Sequence, residues 1–73
     1  MYVIEVSNKT GTAERRCRSR ETAVKIAAVT ANADAIYIPN PELSREQRYF
    51  TVESVRVYDT KNPDIDIDFR GGR

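Results

Sequence analysis

Tyr2-Val3-Ile4-Glu5-Val6-Ser7, followed at once by Asn8-Lys9-Thr10-Gly11, decides the fold of this chain. Tyr2, Ile4 and Val6 alternate with Val3, Glu5 and Ser7, the period of two that marks a half-buried strand. Asn8 to Gly11 supplies turn chemistry, since Asn and Gly tolerate the positive φ that a hairpin bend often demands. The return strand is expected over Thr12–Arg18, with Ala13 and Cys17 inward and Glu14, Arg16 and Arg18 outward. Arg15 falls on the inward parity, so it should sit at an edge or extend its stem toward water.

Beyond this hairpin the spacing becomes helical. Ser19 is placed as an N-cap, its hydroxyl taking one of the amides that open a helix. From Arg20 to about Asn32, Ala23, Val24, Ala27, Ala28 and Ala31 share one face, with Ile26 on its flank. Glu21, Lys25 and Val29 look outward. A face of alanines lets the helix lie close to a sheet, and Asn32-Ala33-Asp34 ends it. Ala35–Ile38 then reads as a short strand with Ile36 and Ile38 on one side, stopped by Pro39. Asn40-Pro41-Glu42 reads as a cap, a first-turn proline and an acid near the dipole's positive end, giving one helical turn through Ser44.

Arg48–Tyr58 carries the strongest strand signal. Phe50 and Val52 share one parity and Val55 and Val57 the other, so a bulge or bend is expected at Glu53-Ser54. Asn62-Pro63 forms the next turn. Ile65, Ile67 and Phe69 then alternate with Asp64, Asp66 and Asp68 in a last strand with one apolar and one acidic face. Arg70–Arg73 reads as a flexible tail. The fold class is therefore α+β: an antiparallel sheet of four to five strands with one helix packed on it, in the order β-β-α-β-β with a fifth strand after it. Residues 1–69 make a single domain.

Counts narrow the function. Seventy-three residues with 40% hydrophobic and 32% charged side chains describe one small globular unit, too short to enclose a deep cleft. No apolar run approaches the roughly 20 residues needed to cross a bilayer. No secretion leader is expected at Met1, and a single cysteine gives no internal disulfide, which fits a cytoplasmic setting. Without histidine, the commonest general base and metal ligand is missing. Glu5, Glu14 and Glu53 are scattered carboxylates, so an enzyme is not expected and no cofactor is implied.

Arg15-Arg16-Cys17-Arg18-Ser19-Arg20 is the leading candidate site. Lys9 to Lys25 holds six basic and two acidic residues, a net +4. Arginine forks suit phosphates and carboxylates, so Arg15, Arg16, Arg18, Arg20 and Lys25 are expected to contact an acidic protein face or nucleic acid. The same charges would also discourage sheet-to-sheet aggregation at an edge strand. A whole-chain charge of +1 argues against a dedicated DNA binder. Asp59 to Asp68 holds four acids and one base, a net −3, and is expected to pair with the arginine strand of the same molecule. Asp64, Asp66 and Asp68 mimic the start of a calcium loop, but the sixth position is Phe69 where glycine is needed. Cys17 reads as a small buried hydrophobe, and Tyr37, Tyr49 and Tyr58 as aromatics at the margin of the core. Exposure of Tyr37 and Tyr49 beside arginines would favour single-strand binding.

Tyr2-Val3-Ile4-Glu5-Val6-Ser7-Asn8, with the later spacing Ser19-x-x-x-Ala23-x-x-Ile26-Ala27, resembles the opening of small phage-encoded type I-F anti-CRISPR proteins. The likeness covers about the first 30 residues. It implies a phage or mobile-element inhibitor acting in the host bacterial cytoplasm. Such a protein docks on the backbone subunits of a crRNA-guided surveillance complex and blocks target DNA. Lys25 stands where that family uses a basic helix residue. Asn40–Gln47 and the Asp-rich last strand have no counterpart there. A phage inhibitor of bacterial RNA polymerase has a comparable strand–helix–strand layout. The implied partner is a host protein or nucleoprotein complex, with direct nucleic-acid contact as an alternative, no membrane, and the chain a monomer or homodimer.

Overall fold

Alternating apolar residues draw the N-terminal third of the chain into a hairpin, and the alanine-faced helix that follows covers it. The computed structural model describes residues 1–62 and 64–70. Strand β1 (Tyr2–Asn8) and strand β2 (Gly11–Cys17) form the hairpin, and helix α1 (Arg20–Ala31) follows. Strands β3 (Ala35–Tyr37) and β4 (Tyr49–Thr51) pair with each other as a separate two-stranded sheet. Strands β5 (Ser54–Asp59) and β6 (Asp66–Arg70) complete a four-stranded antiparallel sheet in the order β2-β1-β5-β6. The α+β class and the helix packed on an antiparallel sheet are as read from the sequence.

The hairpin turn works differently from the expectation. Among the described residues no non-glycine residue has a positive φ, Lys9 and Thr10 included, and only Gly11 does, at 158°. The Asn8 carboxamide closes the turn instead: its Oδ1 accepts from the Thr10 amide at 2.8 Å, the Thr10 hydroxyl at 2.6 Å and the Gly11 amide at 3.2 Å. This is an Asx turn, a side chain standing in for backbone curvature.

The core lies between one sheet face and α1. Ile4 and Val6 of β1 are in register with Val57 and Val55 of β5, and Ala23 and Ala27 of the helix close over them with no exposure. Cys17, Ile26, Ala31, Ile36, Phe50 and Phe69 pack around this cluster. The buried stripe of the helix is narrower than its alanines imply: Ala28 is exposed. Ser19 caps the helix as expected, its Oγ accepting from the Thr22 amide at 3.3 Å. The last turn carries no cation of its own. Arg70 provides one from β6, donating to the Ala31 and Ala33 carbonyls at 3.5 and 3.1 Å. Arg70 is therefore the final residue of a strand rather than the start of a tail, and residues 71–73 lie outside the described ones.

The second half departs most. The bend read at Glu53-Ser54 is present at Glu53, and it does more than kink one strand: Val52, 2% exposed, and Glu53 separate two strands that lie in different sheets. Backbone bonds from Val52 N to Asp34 O and from Glu53 N to Ser7 O mark the crossover. A register shift does occur in the large sheet, but in β6 opposite Val55 and Arg56. The turn expected at Asn40–Ser44 is present as a tight one, closed by Leu43 N on Asn40 O at 3.1 Å, and a wider turn follows it at Ser44. Ser44 and Gln47 make a reciprocal capping box, Ser44 N to Gln47 Oε1 at 3.0 Å and Gln47 N to Ser44 Oγ at 3.2 Å. The Arg48 amide then closes the turn on the Ser44 carbonyl. Asn40 spends its side chain on an Asx turn to the Glu42 amide. Arg48 pins the preceding loop through the Asn40 and Pro41 carbonyls. The turn begun at Asn62 is present, with Ile65 N on Asn62 O and Asp64 N on Asn62 Oδ1, while Pro63 lies outside the described residues.

Candidate functional site

Adjacent residues of a strand point to opposite faces, so the arginine run cannot form one patch. Arg15 pairs in register with Ile4 and faces the helix side, whereas Arg16 pairs with Val3 and faces away. Arg18 lies in the bend after β2, and Arg20 is the first residue of α1. All four are exposed, and none joins an ion pair among the described residues. Arg20 is moreover a cation at the positive end of the helix dipole, a position that works against helix stability. Lys25 differs, because its Nζ lies 3.3 Å from Glu21 Oε1 one turn back on the same helix. The structure thus leaves four guanidinium groups without an ion pair among the described residues, spread over both faces of β2 and the turn into α1, and gives Lys25 a partner.

The remaining described arginines show the contrast. Apart from exposed Arg45, each is committed internally: Arg48 to the 40–41 loop, Arg70 to the helix C-terminus, and Arg56 to the outer sheet face. Arg56 Nε donates to Glu5 Oε1 at 2.8 Å, its Nη1 to Asp66 Oδ2 at 3.1 Å, and the guanidinium stacks 4.9 Å from the Tyr58 ring centre. The Glu5 hydrogen bond, reinforced by both acids, raises the Arg56 pKa above its already high value. Asp66 is therefore satisfied by β5, and the acidic strand does not pair with the arginine strand. β6 and β2 occupy opposite edges, with β1 and β5 between them.

The Tyr58 hydroxyl donates to Glu14 Oε2 at 3.0 Å. Since β1 separates these two strands, the phenol must cross it on the outer face. There it covers Val3, its register partner, which is 0% exposed although it points away from the helix. A strand expected to be half-buried is thus buried on both faces at this position. The Glu14 hydrogen bond raises the Tyr58 pKa above its ordinary value of 10.0. A raised pKa means that the folded state holds the phenolic proton more tightly. The stabilisation is therefore complete below about pH 10 and is lost as pH rises through the folded value. Glu14→Ala should bring the phenol back toward 10, measured by the tyrosinate absorbance in an alkaline titration. An unmoved curve would remove this contact from solution.

Two features were not legible in the residue pattern. Tyr37 and Tyr49, cross-strand neighbours in the small sheet, are 53% and 59% exposed and meet edge to face at 5.4 Å between ring centres. They are surface aromatics, not the margin of a core. The second is a groove of about 370 Å³ between the β2 half of the sheet, α1 and the segment Ile36–Pro39. Ile4, Val6, Ala13, Ile26, Ile36 and Ile38 give it an apolar lining, and Arg15 and Tyr37 also border it. Cys17 is half-buried against the core.

Among the described residues no cluster of three His, Cys, Asp or Glu side chains could hold a metal. No helix among them is long and apolar enough to cross a membrane. The geometry offers forked cations beside an open apolar surface, which is chemistry for binding. Compared with family models, curated proteins and solved structures, the chain matches none.

Proposed function

We propose that this chain is a small binding protein that inhibits a larger host assembly by occupying an acidic or phosphate-bearing surface. The observation that carries this reading is the division of labour among its arginines. Arg48, Arg56 and Arg70 hold the fold, whereas Arg15, Arg16, Arg18 and Arg20 lie exposed along β2 and the turn into α1 with no ion-pair partner among the described residues. Arg20 also opposes the helix dipole, so an external anion is what these cations best suit. The resemblance of the first strand and helix to type I-F anti-CRISPR proteins makes a crRNA-guided surveillance complex the first assembly to test, with bacterial RNA polymerase second.

A second reading has one observation in its favour. Exposed Tyr37 and Tyr49 provide aromatic faces, and Tyr37 shares a groove with Arg15, the combination on which single-stranded nucleic acid stacks.

Capture from a bacterial lysate on the tagged protein, followed by mass spectrometry, separates the two when combined with mobility shifts over a salt series. The inhibitor reading expects recovery of surveillance-complex or polymerase subunits and little shift of naked single-stranded DNA or RNA. The alternative expects a shift whose affinity falls steeply with salt. Recovery of neither kind of subunit, with no nucleic-acid shift, overturns both.

A further inference from the structure

We propose that the free edge of β2 accepts an extended segment of the partner as an added strand, one in which acidic and apolar residues alternate. This rests on the binding role assigned to the arginines and names what they bind.

Backbone direction supplies the first support. Ser7 O accepts from Glu53 N, and Met1 O from Thr60 N, so the odd-numbered residues of β1 turn their backbone groups toward β5. The even-numbered ones then face β2, where Ile4 pairs with Arg15 and Val6 with Ala13. By the alternation of an antiparallel ladder, the amides and carbonyls of Thr12, Glu14 and Arg16 point away from β1. Among the described residues no strand pairs with that edge.

Side-chain chemistry supplies the second. A strand laid along β2 would place alternate side chains on the two faces of the sheet. On the helix side they meet the apolar groove. On the outer side they meet Arg16 and Glu14, whose exposed carboxylate keeps its charge while accepting from the Tyr58 hydroxyl. Counted over the whole edge from Gly11 to Arg18, three arginines against one glutamate leave the charge positive. Apolar residues facing in and acidic residues facing out are what the edge complements.

The same charges discriminate against other occupants. Two β2 strands paired across a two-fold axis would set two edges of the same net positive charge against each other, and the register centred on Arg15 would face that side chain with its own copy. A second copy's β6 has the right alternation, but its Ile67 lies opposite Val57 and its Phe69 packs into its own core, so they are not available to fill the groove.

The test uses the full chain, isotope-labelled, and a capped synthetic peptide with the sequence of residues 64–69, Asp-Ile-Asp-Ile-Asp-Phe, as a model segment. Binding should slow hydrogen exchange at the Thr12, Glu14 and Arg16 amides in particular. Two further peptides carry N-methyl groups on alternate residues, one in each phase. Methylation in the phase that faces β2 should weaken binding about tenfold or more, because it removes main-chain hydrogen bonds, and the other phase should not. Equal binding by both phases, or no binding by the parent peptide, overturns edge addition. Retention of the protein on heparin reads the arginine surface separately, so that reading can stand if the peptide fails. Concentration-dependent sedimentation of the chain alone, abolished by the peptide, would assign the edge to a second copy and also overturn the proposal.

Discussion

Ile4→Ala should lower the melting temperature by tens of degrees and leave part of the population unfolded at 37 °C. Ile4 is the largest of five big side chains that are fully buried, the others being Val3, Val52, Val55 and Val57. It sits on a central strand, in register with Val57 on one side and Arg15 on the other, under the helix. Removing a buried isoleucine to alanine costs about 2–5 kcal/mol through lost transfer energy and the cavity left behind. A domain of this size has only about 4–11 kcal/mol in total, by the usual stability per residue. Each kcal/mol moves the midpoint of so small a domain by roughly 4–8 °C. Ile4→Val, which deletes one methylene, should cost about 0.5–1.5 kcal/mol and serves as the graded control. Thermal and urea unfolding followed by circular dichroism read both. Equal midpoints for Ile4→Ala and the parent would mean that the helix does not close over this strand.

The parts of the fold that could be read in the residues are those set by local periodicity. The alternation from Tyr2 to Ser7 gave β1, and the spacing Ala23, Ala27, Ala31 gave the face that α1 buries, because both patterns depend only on the chain's own geometry. The Ser19 cap belongs to the same class. What could not be read depends on where other segments end up. The phase change between Val52 and Val55 is visible, but its resolution as a change of sheet depends on Asp34 and Ser7, which take the freed amides from distant positions. Asn40 and Ser44 both carry capping chemistry and each opens a turn, but the Arg48 contacts to the Asn40 and Pro41 carbonyls that tie the two together are not local. Ala28 looks buried on a helical wheel and is exposed because the buried stripe centres on Ala23 and Ala27. The split of Arg15 from Arg16 was legible in strand parity, which puts them on opposite faces, whereas only sheet order puts the aspartates on the far edge. The groove is tertiary throughout, lined by β1, β2, α1 and the segment Ile36–Pro39, which only the folded chain brings together.

Neutralising Arg15, Arg16, Arg18 and Arg20 together to glutamine should abolish partner binding while leaving the fold intact. None of the four takes part in an ion pair among the described residues, so each substitution should change stability by no more than about 0.5 kcal/mol, and loss of the cation at Arg20 should favour the helix. Each charge-assisted hydrogen bond to a partner contributes about 1.5–3 kcal/mol. If only two of the four guanidinium groups are engaged, affinity should still fall by more than about a hundredfold. Earlier elution from heparin and loss of the subunits captured from lysate are the two readouts. Arg56→Gln, compared with the single variants Arg15→Gln, Arg16→Gln, Arg18→Gln and Arg20→Gln, is the charge-matched control: it removes one arginine charge, but from a group holding Glu5 and Asp66 at the outer face. It should lower the melting temperature while retaining the captured subunits. The two kinds of variant therefore move opposite observables, and that crossing separates a recognition surface from a general effect of positive charge. A quadruple variant that still captures its partner at the parent's affinity would place recognition elsewhere on the molecule, with the exposed Tyr37–Tyr49 pair the next surface to substitute.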